Sequence, residues 1–457
     1  MDREELWIAP RGALPLAWQS GILSQRWTAC LIAGIGLVIR LVLLVPLTHQ
    51  PLAGDSASYN NMALGLLRGG ALTPYWPPGL PLFLSLVHWM FGPTEAVARL
   101  AMLVFYLGCA FFTYRSAVLL TGETAAGNLA LVVLAISPAS ILASVETMTE
   151  LPTAMCLMVV GYCLLRAESG FSLAYASLLG ILIGYLSLIR PSSVLLLVLV
   201  PAYLWWRTRK PAAPVIVLLL GTLVVSLWTG FVYEKTGFIR INTSNSRNLY
   251  YGNNPRTPIY KTWWLGSHHE LANTSTPPEN AVDAVAQEAQ YSKLAAAYIR
   301  QHPYLFLVRT FNRVCVYFSL NVFAGSYLIA NYGIPKLLGL VILALDAGIY
   351  LMVAAGTILY VGTLSGMTLR TRNVCVLLGL IAFYALPYFV AFSHPRLHYP
   401  MEPLLIVLFS AFVTSCTSAR SKGLWETLHA RKLPVASALL VFLLIQVEFL
   451  ALMAGRL

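Results

Sequence analysis

An all-α polytopic membrane protein is the fold class this sequence predicts, and three observations predict it. Of the 457 residues 58% are hydrophobic and only 11% charged, and the mean hydropathy of +0.72 exceeds what a single soluble core requires. Apolar runs long enough to cross a bilayer as helices, about 20 residues each, recur along the chain. No alternation of apolar and polar residues in segments of about ten, the signature of a membrane barrel, is present. The net charge of +12 sits largely in short loops beside spans, where the positive-inside rule expects it, so no nucleic-acid partner is implied. The seven cysteines form no CxxC pair and fall mostly in apolar runs, where a thiol packs as a small hydrophobe.

The start, MDREELWIAPRGALPL, is mixed in charge and lacks the basic region, apolar core and cleavage site of a signal peptide. The first span, 29–47, is therefore expected to remain as an anchor. A long polar break at 48–78 follows, holding Asp55, Asn60, Asn61, Trp76 and the Pro77-Pro78 stop. Leu80 to Phe91 is short for a span and reads as an interfacial helix. Spans are then expected at 96–119, 124–143, 151–165, 172–189, 191–206 and 213–232.

The loop WWRTRKP, with Arg207, Arg209 and Lys210, marks the cytoplasmic side. Counting back from it puts Asp55, Glu146 and Glu150 outside, Arg115 and Arg166 inside, and Arg190 outside against the rule. Residues 233–334 form the one large non-spanning region, expected outside, with an amphipathic helix near 279–301. The run Tyr304 to Phe323 carries Arg309, Asn312 and Arg313 and reads as an interfacial helix with its arginines near headgroups. That choice places Arg370 and Arg372 inside, with the loop of Arg420, Lys422, Arg431 and Lys432. Spans at 336–361, 374–393, 400–418 and 435–453 bring the total to about eleven by the length rule.

The chain divides accordingly into three parts. An N-terminal membrane module, 1–232, carries the first outer loop at 48–92; an extracytoplasmic region of amphipathic and interfacial helices occupies 233–334; and C-terminal transmembrane helices fill 335–457. No internal repeat is visible, which argues against a transporter of duplicated halves.

One face of the membrane thereby collects Asp55, Glu146, Glu150, Arg190, Arg247, Lys261, His268, His269, Arg300, Arg309, Arg313, His394, Arg396 and His398. A few acids among many cations, where positive charge is normally scarce, suit an anionic substrate at the membrane surface, such as a lipid-linked phosphate. The matching chemistry is glycosyl transfer from a polyprenyl-phosphate sugar. The leaving phosphate is a weak base, so it needs cationic partners more than an acid, whereas an acceptor hydroxyl needs a base. Asp55 is the candidate base, although an Asp after Gly also suits the cap of a helix beginning near Ser56.

Glu146 and Glu150 would share a helix face at i, i+4 and could bind sugar hydroxyls or orient the acceptor; helix-dipole stabilisation explains them equally well. Arg190, in SLIRPSS, is a candidate phosphate ligand against the alternative of snorkelling to headgroups. His394, Arg396 and His398 in HPRLHYPMEP carry the same two readings. Asn60, Arg247 and Lys261 complete the candidate substrate-binding set. The adjacent His268 and His269 give no helical metal-ligand spacing, so no metal residues are assigned; a divalent ion is conceivable chemically but no ligand motif supports one.

The segments GDSASYNN, WPPGLPLFLSLVHWMFG, SPASILASVETMTELP, SLIRPSS, NLYYGNNP, YIRQHPYLF and RLHYPMEP together, in this order from about residue 30 to 415, resemble the membrane glycosyltransferases of the GT-C class. In particular they resemble the bacterial relatives of protein O-mannosyltransferases and aminoarabinose transferases. The resemblance implies a GT-C-like bundle that moves one sugar, with inversion, from a polyprenyl-phosphate donor to a lipid, protein or glycan acceptor. It places the site on the periplasmic side of the plasma (inner) membrane. It implies the first-loop acid as base, which falls on Asp55, and a second-loop acid that falls on Glu150 or Glu146. Where many relatives carry a second acid directly after the first, this chain has Ser56, and no soluble C-terminal domain is expected after the last spans read here. A flippase or transporter of a lipid-linked sugar, or a polymerase or ligase of whole glycans, is the alternative; the spans, nearly uncharged apart from Asp346, favour surface chemistry over passage.

Overall fold

The structure is a computed structural model that describes residues 26–69, 74–167, 172–259, 281–364, 366, 368–417 and 421–454. All regular structure among them is helical. In chain order the helices are α1 (Arg26–Leu47), α2 (Gly54–Leu67), α3 (Gly79–Phe91), α4 (Glu95–Thr121), α5 (Thr124–Ile136), α6 (Pro138–Val145), α7 (Glu150–Arg166) and α8 (Leu173–Ile189). A 3-10 turn over Pro191–Leu195 leads into α9 (Leu196–Thr208) and α10 (Ala212–Thr236). Then come α11 (Asn245–Gly252), α12 (Ala281–Gln301), α13 (Pro303–Tyr317), α14 (Phe323–Tyr332), α15 (Lys336–Gly362) and α16 (Leu369–Val390). A second 3-10 turn, Pro395–Met401, precedes α17 (Glu402–Thr417), α18 (Ser421–Ala430) and α19 (Lys432–Ala454).

By length and composition seven helices among the described residues can cross a membrane, or eight if the bent pair α5 and α6 is one span. The chain is a multi-pass membrane protein. The sequence expectation of about eleven spans also counted 151–165, 172–189 and 191–206; these are helices of 17, 17 and 13 residues, at or below the short end of the roughly 17–25 residues of a spanning helix.

The core is built around α7, which is enclosed on all sides: Leu151, Ala154, Cys156, Leu157, Met158, Val160 and Cys163 are fully buried. It packs on α4, α8 and the second 3-10 turn, while α17 packs on α15, α5 and α4. Apolar side chains are exposed instead on α1, α10 and α19, for example Val42, Leu227 and Val447, as expected of helices whose outer solvent is lipid. The tightest helix pair is α8 with α10. Gly180 and Gly184 are spaced i, i+4, and a Cβ on Gly184 would stand 2.7 Å from the Gly221 carbonyl oxygen. Small residues at this spacing let two backbones touch where lipid offers no hydrophobic drive to associate.

The expected span 124–143 is broken. Between α5 and α6 the chain bends by 65°, because Pro138 cannot donate to the ladder and Ser137 caps the new helix, its Oγ accepting from the Ser140 N–H at 3.3 Å. The carbonyls freed at the end of α5 are taken by Arg40 of α1, which donates to Ala135 O at 3.1 Å and Leu134 O at 3.2 Å and also reaches Ser140 and Ser144. On the other side of the break the Ala139 N–H donates to Asp346 Oδ1 of α15 at 3.1 Å. Buried charges in spans are therefore more numerous than the sequence reading held: Arg40 and Arg99 join Asp346, all at most 3% exposed.

The amphipathic helix expected near 279–301 is α12, described from residue 281. The next helix, α13, ends at Tyr317 rather than running to Phe323. Its arginines do not reach headgroups as expected. Arg309 donates to Thr257 O, and Arg313 donates to Val390 O at 2.7 Å and to Asn253 Oδ1 at 2.9 Å. They fasten the loop after α11 and the end of α16 to α13.

Candidate active site

Gly54 enters α2 with a left-handed backbone, φ 55°, which glycine adopts without steric cost. The N-cap is Ala53, with no side-chain cap bond, so Asp55 lies in the first turn and is not the cap. An acid there is stabilised by the helix dipole, and its side chain is free to point across the bundle. It does so toward the second 3-10 turn, where Arg396 Nη2 donates to Asp55 Oδ2 at 2.5 Å. The turn orients that arginine through His394, whose Nδ1 accepts from the Arg396 N–H at 3.1 Å, and through the Phe323 ring, 5.0 Å from the guanidinium.

Glu150, the first residue of α7, lies behind the pair. Its Oε1 is 3.8 Å from Arg396 Nε and 3.5 Å from Arg190 Nη2. Arg190 ends α8, and the proline after it starts the 3-10 turn. Burial works against the Arg190 cation, yet Tyr388, Tyr384 and Glu150 around it raise its pKa well above the ordinary value. Its Nε and Nη2 are buried and make no hydrogen bond among the described residues. Tyr59 of α2 sits among the same groups. Burial pushes its phenol above the ordinary range, with Arg190 opposing and Asp55 and Glu150 adding, so it is a neutral hydroxyl. Beside Glu150 and Arg396 a small pocket is lined by Met148, Asn321, Phe323 and Tyr399.

Asp55, Glu150, Arg190 and Arg396 thus meet at one end of the bundle. The other sequence candidates are placed differently. Glu146 and Glu150 do not share a helix face, because α6 ends before Glu146 and α7 begins at Glu150. Glu146 is fully buried against Arg99, and accepts hydrogen bonds from Tyr332 and, at 3.3 Å, Tyr327. Asn60 is buried in contact with His88, its Oδ1 2.8 Å from Nε2, and joins α2 to α3. Arg247 donates to the Tyr75 hydroxyl at 2.7 Å and to Tyr251, tying α11 to the first loop. His398 is fully buried, stacked on Tyr350 with ring centroids 4.4 Å apart, its Nδ1 donating to Tyr317 O at 2.7 Å and its Nε2 3.2 Å from Glu402. Lys261, His268 and His269 lie outside the described residues. Among those described, no group of three or more His, Cys, Asp and Glu side chains is gathered as a metal site. Tyr59 and Arg99 were not singled out from sequence; the arginine inside an apolar span was the readable signal for the second.

Residues 76–233 match the family described as dolichyl-phosphate-mannose-protein mannosyltransferase. The match covers about a third of the chain, and over that stretch, which holds Glu150 and Arg190, the chain is similar to this family. Among solved structures it is similar to the oligosaccharyltransferase of Archaeoglobus fulgidus, solved with zinc and sulfate, at a TM-score of 0.50 and 13% identity, over 92% of this chain and 51% of that one. The chain therefore spans about half the length of that protein. ArnT from Cupriavidus metallidurans in the apo state is 14% identical over 84% of this chain and 77% of its own, with a TM-score of 0.36. No curated protein matches the sequence.

Proposed function

We propose that the chain transfers a single sugar, with inversion, from a polyprenyl-phosphate donor to a hydroxyl acceptor at the extracytoplasmic face of the plasma membrane, with Asp55 as general base. The observation that carries this reading is the meeting of two carboxylates and two guanidiniums, Asp55, Glu150, Arg190 and Arg396, from four distant parts of the chain. The acceptor oxygen attacks the anomeric carbon from the face opposite the phosphate. The C–O bond to phosphate breaks with its electron pair going to the phosphate, and the acceptor proton passes to Asp55. That carboxylate is 34% exposed, so a hydroxyl can reach it while one oxygen stays on Arg396.

The departing phosphate needs compensation for its growing charge rather than a proton. Arg190 suits this role because its Nε makes no hydrogen bond among the described residues and its Nη2 faces Glu150 only at 3.5 Å, in a buried setting, where charge-assisted bonds are strongest. Glu150, between both arginines, holds them in register and is available to the acceptor. The tethering of these groups to the ends of rigid helices serves positioning.

Asp55→Asn in proteoliposomes supplied with a polyprenyl-phosphate sugar is expected to lower turnover by about 10²- to 10⁴-fold, the usual worth of a general base, while donor binding stays measurable. Turnover near the wild-type value would remove Asp55 from the role of base.

A further inference from the structure

We infer that Thr147, in the turn between α6 and α7, is a positioning residue that sets where Asp55 stands against Glu150 and Arg396; this deepens, and rests on, the reading of Asp55 as base. The Thr147 hydroxyl donates to Ser56 O at 2.9 Å, on the residue that follows Asp55. Further along the same turn Glu150 begins α7, so the bond ties the backbone beside one acid of the cluster to the segment that carries the other. Thr147 and Ser56 are both fully buried, so Thr147 acts on the reaction through Asp55 rather than by touching substrate.

Both ends of the tie are fixed. Arg99 donates to Val145 O at 3.0 Å and the Met148 N–H donates to Glu146 O at 2.8 Å, which holds the turn on either side of Thr147. On the α2 side Arg99 reaches Gln50 O at 3.3 Å, and the Leu52 N–H donates to Glu95 Oε2 at 2.7 Å. Tyr327 links the same two segments again, its hydroxyl 3.3 Å from Ala53 O and 3.3 Å from Glu146 Oε2. Asp55 therefore lies between two anchored carbonyls, those of Ala53 and Ser56. The helix itself does not require the Thr147 bond. Ser56 lies inside α2, where its carbonyl already serves the helix ladder and has a second lone pair to give, so removing the hydroxyl strands no backbone group. What the bond adds is register, and a misplacement of about 1 Å at a reacting group can cost about 10²-fold in rate.

The test uses the full-length protein in proteoliposomes, with the polyprenyl-phosphate sugar on which the wild type turns over, and amide hydrogen exchange measured without substrate. Thr147→Val, of nearly the same shape, is expected to speed exchange over residues 54–60 and to cut kcat by about 10- to 100-fold. Donor KM and thermal midpoint are expected to stay close to wild type, and Thr147→Ser, which keeps the hydroxyl, to restore both exchange and kcat. In the Asp55→Asn background Thr147→Val is expected to cost nothing further, because its route to the reaction is already gone. Unchanged exchange and kcat in Thr147→Val would overturn the proposal. So would losses that multiply in the double variant, or a fall in kcat matched by a fall in midpoint, either of which would make Thr147 a packing residue. Failure of the base reading shows separately, as wild-type turnover in Asp55→Asn alone, and exchange over 54–60 then still decides whether Thr147 holds α2.

Discussion

Glu146 and Glu150 stand four residues apart and have opposite surroundings. Glu146 is closed in by Arg99, Tyr327 and Tyr332 with no solvent contact, whereas Glu150 faces Arg190 and Arg396. Removing one partner of a buried ion pair leaves an uncompensated charge and costs about 3–5 kcal/mol. Glu146→Gln is therefore expected to lower the unfolding midpoint by several degrees while the folded fraction keeps its KM for donor. Glu150 is also buried, between Arg190 and Arg396, but Arg396 keeps Asp55 as a partner, so Glu150→Gln is expected to lower the midpoint less than Glu146→Gln does and to cut kcat/KM. Thermal unfolding and steady-state kinetics on the two variants separate the outcomes; equal loss of stability in both would place Glu150 with Glu146 as a packing residue. The sequence showed both acids but could not tell them apart, because the i, i+4 rule presumes one continuous helix and the helix breaks between them. Arg99 was hidden for a related reason: its partner is 47 residues away, and no local pattern connects them.

At the scale of the element, the break between α5 and α6 shows how a bent helix survives inside a bilayer. Lipid supplies no hydrogen bonds, so each backbone group released by the bend needs a protein partner. Arg40 supplies donors to the carbonyl side and Asp346 an acceptor to the amide side. The guanidinium also lies 3.6 Å from the centre of the Tyr106 ring, so its charge is not left bare. Arg40→Met keeps much of the volume but strands those carbonyls, and is expected to cost about 1.5–3 kcal/mol, the worth of a charged hydrogen bond. Unfolding in lipid nanodiscs measures this, with an unchanged midpoint as the contrary result. The dipeptide Ser137-Pro138 marked the break in the sequence as a cap followed by a proline at the first helical position. The hydropathy of 124–143 masked it, since an apolar run reads as one span whether or not it bends. The long amphipathic stretch at 281–301 was legible because its polar face needs no distant partner to explain it.

For the whole molecule, the polarity of the helices sorts the charges. The cluster of Asp55, Glu150, Arg190 and Arg396 lies at one end. Arg207 and Arg372 line one groove at the other, and there Arg431 donates to Leu364 O beside the end of α15. That arrangement puts Arg370 and Arg372 on the same end as Arg207, as the choice against a span at 304–323 required. The excess of cations at this end is what the positive-inside rule assigns to the cytoplasm, so the acid and arginine cluster is expected to face out. The fold class and the order of its motifs were readable because hydropathy is a property of each segment alone. The convergence of four segments on one cluster was not, since it depends on how α7, α8 and the turn before α17 pack. In a background without native cysteines, Gln50→Cys, exposed beside the cluster, is expected to react with a membrane-impermeant maleimide on intact cells. Lys210→Cys, exposed at the far end, is expected to react only after permeabilisation. The reverse pattern would turn the cluster toward the cytoplasm, and the proposed transfer would then have to draw on a donor whose sugar is still carried on that side.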